Sequence, residues 1–437
     1  MTVETTPSPK ATDSIQADVE ARAAPLTRIT GCRSCGSTKL RLFLDLGELP
    51  LADRFLRVDQ LNEHEPRFPL EVVFCDSCAL PQILTTVDPN VLFRHDYPYY
   101  SSFIETVLNN ARESAREIMS RIPLDPKSLV VEIASNDGYL LKNFLEQQIP
   151  VLGIDPAEGP VEDARRIGVE SLCDFFGVEL ADRLVSAGRQ ADVIIGNNVL
   201  AHVADTNGFV AGIARLLKPE GMAVIEAPYV RDLIDHCEFD TIYHEHLCYF
   251  SATAFANLFE RHGLYLNDVQ RLSIHGGSLR YFASAKPKPS QAVVDILAEE
   301  KTLGLTAFDY YQDFSTRVEN VREKLLQLLT DLRSQGKSIA GYGAAAKGTT
   351  LINYMDIGVD LVGSVADKNV HKQGCFMPGK RQPIFAPEHI LSDMPDYLLL
   401  LAWNHAPEIM KQLSAYSKAG GQFIVPVPEP VVIKPQG

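Results

Sequence analysis

Twice in this chain an apolar strand runs into a turn of small residues and then into a helical pattern, first as LVVEIASNDGYLL from Leu129 and again as KSIAGYGAAAKGTTLINY from Lys337. That grammar belongs to parallel sheets wound with helices on both faces. The first unit continues with helices expected at Phe103 to Ile122 and Tyr139 to Gln147, and strands at Val151 to Ile154, Ala191 to Ile195 and Met222 to Ile225. The second continues with strands near Leu361 to Ala366, Tyr397 to Leu401 and Gln422 to Val425. Between them, residues 291–334 repeat apolar positions at three and four and read as long helix. A chain of 437 residues exceeds one compact core, so two or three domains are expected.

Ahead of the first unit stand two CxxC pairs, Cys32/Cys35 and Cys75/Cys78, separated by strand-like stretches at Leu40 to Leu44 and Leu70 to Phe74. Each pair can present two thiolates about 2.3 Å from one Zn²⁺, and four such ligands leave no open position, which makes the metal structural. Unliganded thiols are the plainer alternative. The division expected is a tail over 1–28, a zinc-binding domain over 29–93, a cofactor domain over 94–290, a helical connector over 291–334 and a Rossmann-like domain over 335–437.

A formal net charge of −15 argues against a nucleic-acid surface. No apolar run reaches the length of a membrane span, and the first thirty residues lack a signal-peptide core, so a cytoplasmic protein with no membrane partner is expected. A monomer is the expected state.

In the first unit Asn136, Asp137 and Gly138 form the turn where a doubly wound sheet presents backbone N–H groups, and VLGIDP ends on Asp155, placed to accept from ribose hydroxyls. An acid there suits S-adenosylmethionine (SAM) or NAD. Asp174, followed by Phe175 and Phe176, is placed to meet an adenine, although a core Phe pair reads equally well. The fourth strand ends at Asn197, and His202 lies just past it. The run FDTIYHEH packs Tyr243, His244, Glu245 and His246 together, four proton-handling side chains in a row; metal binding by His244 and His246 is the alternative, lacking a third ligand. HGGSLR offers His275, two glycines and Arg280 for a phosphate or carboxylate. Gly341-Tyr342-Gly343 with Ala346 and Lys347 fits a pyrophosphate turn that serves NAD and nucleotide-sugars alike.

Together with YPYYSS (Tyr97 to Ser102), NNVLAHV and DKNVHKQG (Asp367 to Gly374), these motifs resemble, in order, the SAM-dependent C-3'-methyltransferases of TDP-4-keto-6-deoxyhexoses. The likeness runs from about Gly31 to Val425. It implies an α/β protein with a small N-terminal zinc-binding domain, a central Rossmann-like SAM methyltransferase domain and a C-terminal Rossmann-like domain that helps hold the nucleotide-sugar. Cofactor contacts are implied for Glu132, Ala134, Asn136, Gly138, Asp155, Asp174 and Asn197. Substrate contacts are implied for Tyr97, Ser101, Ser102, His275, Arg280, Gly343 and Lys347. The cofactor turn departs from the family's DIGSNDG, with Glu132 for Asp and Ala134 for Gly.

A C–H beside a ketone is acidic only through its enolate, so the site must remove the proton and steady the oxyanion. The resemblance makes His246 the base at C3, with Glu245 setting its tautomer or assisting transfer, and Tyr243 and His202 on the sugar. The rivals are an NAD-dependent nucleotide-sugar oxidoreductase with Asp360 or Asp367 as ribose acid, and a non-catalytic zinc-dependent binding protein.

Overall fold

The computed structural model describes residues 26–93, 100–103 and 105–434, apart from the His275 side chain. Most of the expected tail lies outside the described residues, but Thr27–Arg28 form a short strand paired with Thr85–Thr86. The N-terminal module is a three-stranded antiparallel sheet of β1 (Leu40–Leu49), β2 (Phe68–Cys75) and β3 (Pro81–Ile83), in that order. Its core, Phe43, Leu70, Val72 and Phe74, comes from alternate positions of β1 and β2.

The central sheet holds β4 (Val130–Ile133), β5 (Val151–Asp155), β6 (Ser171–Cys173), β7 (Ala191–Asn197), β8 (Leu217–Pro228), β9 (Tyr265–Leu272) and β10 (Ser278–Ser284). Their order is β9-β10-β8-β7-β4-β5-β6, and β10 alone runs against the rest. Both β4 and β5 are buried along their whole length, as strands covered on two faces require. From β4 the chain winds outward through β5 and β6, then crosses to β7 and β8 on the other side. The order therefore reverses between β4 and β7, and a crevice opens there at the carboxyl ends.

The C-terminal sheet repeats the plan with β11 (Ile339–Tyr342), β12 (Val365–Ala366), β13 (Ile384–Phe385), β14 (Tyr397–Leu400), β15 (Gln422–Val425) and β16 (Val431–Ile433) in the order β13-β12-β11-β14-β15-β16. Its reversal falls between β11 and β14. Both parts match the α/β expectation.

Three elements differ from their expected form. The first helix, α1 (Glu105–Arg121), forms, but between Tyr139 and Gln147 only Lys142–Leu145 is α-helical, with the Asn143 side chain donating to the Leu140 carbonyl at 2.8 Å in competition with helical pairing. The connector is two helices, α2 (Gln291–Leu303) and α3 (Phe314–Ser334). Gly304 ends α2 at a φ of 79°, and the break lets Tyr311 pack on Phe74 and Phe43 of the zinc module, ring centres 4.8 and 5.2 Å away. The strand expected from Leu361 shrinks to Val365–Ala366 because residues 358–362 turn back on the Gly358 carbonyl. Among the described residues no helix is long and apolar enough to cross a membrane.

Candidate active site

A cavity of about 680 Å³ lies where the two crevices face each other, and the zinc module closes one side of it. On the central side the turn after β4 places Asn136 against β5: its backbone N–H donates to Asp155 Oδ2 at 2.9 Å, while Asp155 Oδ1 accepts from Ala157 N at 2.8 Å. Burial lifts the Asp155 carboxyl to about 6, against these two donors, which pull the other way. Each oxygen keeps one lone pair, enough for two ribose hydroxyls. Ala134 and Asn136 hold left-handed φ values of 57° and 50°; at Ala134 a Cβ occupies a conformation that glycine adopts without cost.

The lining from the central sheet contains Ala134, Asn136, Asp155, Asp174 and Asn197 and no Lys or Arg among the described residues. Buried side-chain oxygens of Asn197 and Asn198 have no hydrogen-bond partner. An acceptor-rich crevice with no cation in its lining, where Asp174 alone is ion-paired, to Arg183 outside the lining, fits the adenosine, ammonium and sulfonium of SAM. Glu132 and Gly138 stand behind the wall. Both Glu132 oxygens are buried without partners, and burial, with Asp155 and Asp137 nearby, raises its pKa well above the usual range, so it is a neutral acid under the turn rather than a direct contact. Gly138, at a φ of 77°, is needed for packing: a Cβ there would meet Val169 at 2.9 Å.

His202, Tyr243, Glu245 and His246 line the same cavity. His246 Nδ1 is 2.7 Å from the Thr241 carbonyl, an obligate acceptor, so Nδ1 carries the proton. Nε2 is then the lone-pair nitrogen, and the Tyr243 hydroxyl donates to it at 2.8 Å. The backbone of Thr241, not Glu245, sets the tautomer. His202 stands edge-on to His246 with ring centres 4.7 Å apart. Its Nδ1 is buried without a partner, and burial lowers its pKa to about 4, leaving a neutral ring. His244 points away, 3.0 Å from the Phe68 carbonyl in the zinc module, so no HxH metal pair forms.

On the C-terminal side Gly343 (φ 93°) lets the turn after β11 pass β14, where a Cβ would lie 2.6 Å from that of Ala402. Lys347, on α4 (Ala346–Tyr354), reaches the Thr241 hydroxyl at 3.0 Å and lies 4.8 Å from the centre of the Trp403 ring. The cation lies one helical position inside the N-terminus, in the arrangement that binds phosphate.

Several expected residues serve elsewhere. Arg280 is buried between Glu226, Asn110 and Glu117 at 3.0 to 3.3 Å, its donors consumed beneath the sheet, so it does not reach the cavity. Gly276 and Gly277 line a separate hollow with Asp232, Glu238 and Trp403, while the His275 side chain lies outside the described residues. Tyr97 also lies outside them. Ser101 lines the cavity, yet its N–H donates to Asn136 Oδ1 at 2.9 Å, and that of Ser102 donates to Asp137 Oδ2 at 3.2 Å, so this pair braces the cofactor turn. Sequence reasoning missed Asp53, Lys372, Asn404 and His405, all in the lining. Lys372 sits within DKNVHKQG, and Asn404 and His405 follow β14 at the second reversal, a signal that strand order supplies. Asp53, in a loop of the zinc module, has none.

The four thiols of Cys32, Cys35, Cys75 and Cys78 have Sγ atoms within 4.8 Å of one another, with Cys32–Cys78 and Cys35–Cys75 each at 3.6 Å. A tetrahedron with bonds of about 2.3 Å has edges of about 3.8 Å, so the set fits zinc. Gln82 Nε2 donates to Cys32 Sγ at 3.1 Å. The module also grips the segment that follows the 243–246 run: Ile83 N donates to the Leu247 carbonyl at 3.0 Å and Tyr249 N to that of Pro81 at 2.9 Å.

Three family descriptions match the chain: "Putative zinc binding domain" over residues 32–93, "Methyltransferase domain" over 107–269 and "C-methyltransferase C-terminal domain" over 273–428. The C-methyltransferase NovU of Streptomyces niveus is 37% identical over 408 residues, 93% of this chain and 97% of that protein. A ubiquinone biosynthesis O-methyltransferase of Dinoroseobacter shibae is 32% identical over 114 residues, 26% of this chain and 45% of that protein. Among solved structures, magnesium protoporphyrin IX methyltransferase from Synechocystis PCC 6803 with bound SAM covers 41% of this chain and 79% of its own, with a TM-score of 0.32 and 14% identity.

Proposed function

Because this chain belongs to the SAM-dependent C-methyltransferases with a zinc-binding domain, we propose that its acceptor is the carbon beside the ketone of a nucleotide-linked keto-sugar, C3 of a TDP-4-keto-deoxysugar above others. The observation that carries this reading is the single cavity shared by the Asp155 crevice, the Tyr243–His246 pair and the Gly343–Lys347 turn. When bound, SAM supplies an activated methyl on a sulfonium.

The protein's own residues do the rest. Asn136, Asp155 and Asn197 hold the cofactor on the central side, while Gly343 and Lys347 take the diphosphate on the other. The keto-sugar then lies between them, against residues 202 and 243–246. The Tyr243 oxygen accepts the C3 proton as its own proton passes to His246 Nε2, leaving an enolate on the sugar. The neutral His202 ring donates to the enolate oxygen without bringing a charge of its own. The three domains divide the work: one anchors the catalytic run, one holds the cofactor and one holds the nucleotide.

Incubating the purified protein with SAM and a panel of TDP-keto-sugars, followed by mass and NMR analysis of the sugar, tests the reading. A new C–CH₃ at C3 is the expected product. Methylation at oxygen, or of no sugar in the panel, would refute it.

A further inference from the structure

The Thr241 carbonyl that holds His246 Nδ1 lies in a buried helical turn, Phe239–Thr241. The C-terminal domain grips this turn and the residue after it at three successive positions. Trp403 Nε1 donates to Asp240 Oδ2 at 2.6 Å, Lys347 Nζ to the Thr241 hydroxyl at 3.0 Å, and the Thr350 hydroxyl to the Ile242 carbonyl at 3.2 Å. Lys347 and Thr350 stand three apart on α4, so one helix face supplies two of the contacts. Of these three donors Lys347 is the one that also lines the cavity. Lys368 and Lys372 line it too, but Lys372 is fixed by the Ala344 carbonyl at 2.7 Å and lies 3.9 Å from Asp53 Oδ1. An ammonium offers three N–H groups, so Lys347 can hold the Thr241 hydroxyl and a phosphate oxygen together.

We infer that Lys347 and the Thr241 hydroxyl form a bridge through which a bound diphosphate steadies the His246 imidazole, making Thr241 a positioning residue. The diphosphate rests on the function proposed above; the chain of contacts from Lys347 to His246 does not. A lysine stem is flexible, and one hydroxyl bond restrains it loosely. An anionic group at the start of α4 pins the ammonium, and the ammonium pins the main chain at residue 241. The carbonyl there keeps Nδ1 protonated and leaves Nε2 to the Tyr243 hydroxyl. The nucleotide is thereby read twice, in affinity through Lys347 and in turnover through Thr241. A keto-sugar without its diphosphate would meet a base whose anchor is less firmly held. The Lys347 ammonium also lies 4.8 Å from the ring of Trp403, the chain's one tryptophan, so tryptophan fluorescence reports phosphate contact at Lys347 separately from any response at His246.

The test titrates TDP into the full-length, zinc-loaded protein without a sugar. It follows Trp403 fluorescence and the ring-nitrogen NMR signals of His246, assigned by their loss in His246→Asn. In wild type both should change with one midpoint. Thr241→Val keeps the carbonyl and removes the hydroxyl: TDP affinity should stay within about twofold and the Trp403 response should persist, while the His246 response is lost. In that variant kcat should fall about tenfold with KM for SAM within about twofold, and Thr241→Ser should restore both the signal and the rate. A hydroxyl that served only stability would not uncouple the two signals. A Trp403 response with silent His246 signals in wild type overturns the inference without any variant, and so does a His246 response that survives in Thr241→Val. Failure of TDP to bind wild type would instead refute the diphosphate site proposed above, and the bridge with it.

Discussion

At the end of β5, Asp155 accepts backbone N–H groups from Asn136 in the turn after β4 and from Ala157 two residues on. At the end of β12, Asp367 accepts them from Ala344 in the turn after β11 and from Asn369 two residues on. The two crevices therefore share one backbone device, a carboxylate that braces the turn of the neighbouring strand. Their side chains differ. Around Asp155 stand acceptors without a cation, and around Asp367 stand Lys347, Lys368 and Lys372. Winding order places an opening in both sheets, and under the function proposed above the charge that decorates it suits a sulfonium in one and a diphosphate in the other.

The seam between the crevices gives the largest expected effect. His246→Asn should lower methylation by about 10² to 10⁴ and abolish solvent exchange of the C3 proton, with zinc content and ligand affinities on both sides intact. Full exchange in that variant would remove His246 from proton transfer. The crevices themselves are separated by a crossed pair of variants. Asp155→Asn should weaken S-adenosylhomocysteine about 10- to 100-fold by calorimetry and leave TDP within about twofold, and Lys347→Gln should do the reverse. Should either variant weaken both ligands equally, the division of charge between the crevices is not a division of ligands. Cofactor binding to wild type should also decline below pH 6, where Asp155 takes up its proton.

A smaller effect concerns stability in acid. His202 and His244 are each lowered to about 4 by burial, from an ordinary value of 6.5. Their contribution is complete above 6.5 and is lost as pH falls through 4, so the urea midpoint should drop across that window, less steeply in His244→Gln. An equal slope in that variant would show that His244 is not among the groups responsible. The smallest change tests the cofactor turn. Ala134→Gly relieves a left-handed residue worth about 1–2 kcal/mol, offset by about 0.5–1 kcal/mol of glycine entropy, for a net gain of about 0.5–1 kcal/mol read as a slightly higher Tm. No gain, or a loss, would mean the Ala134 methyl contributes packing that outweighs its strain.

Periodicity and spacing were enough to read both wound sheets, the cysteine cluster and the residues that end strands, because each is a local pattern with a local physical cause. Asp155, Asn197 and Gly343 belong to that class; the 243–246 run stands out by residue type alone, its roles come from the resemblance, and His244 turns away to the Phe68 carbonyl. Arg280 does not: its motif suggested an anion, but the partners that consume it, Glu226 and Asn110, come from another strand and a distant helix. Asp53 and Lys372 escaped for the complementary reason, since their meaning arises only when segments more than 300 positions apart in numbering come within 3.9 Å. The connector misled as well, because helical periodicity carries no information about Tyr311 finding a slot in the zinc module.

The Thr241 carbonyl that fixes His246 belongs to the main chain. Side-chain scanning at position 241 would leave that oxygen in place and test only the hydroxyl that holds Lys347, while an insertion or deletion between 238 and 243 that spared every side chain proposed as catalytic would silence the imidazole. The basicity of this site is thus inherited through the course of the polypeptide, and transplanting its four polar residues onto another scaffold would not carry it along.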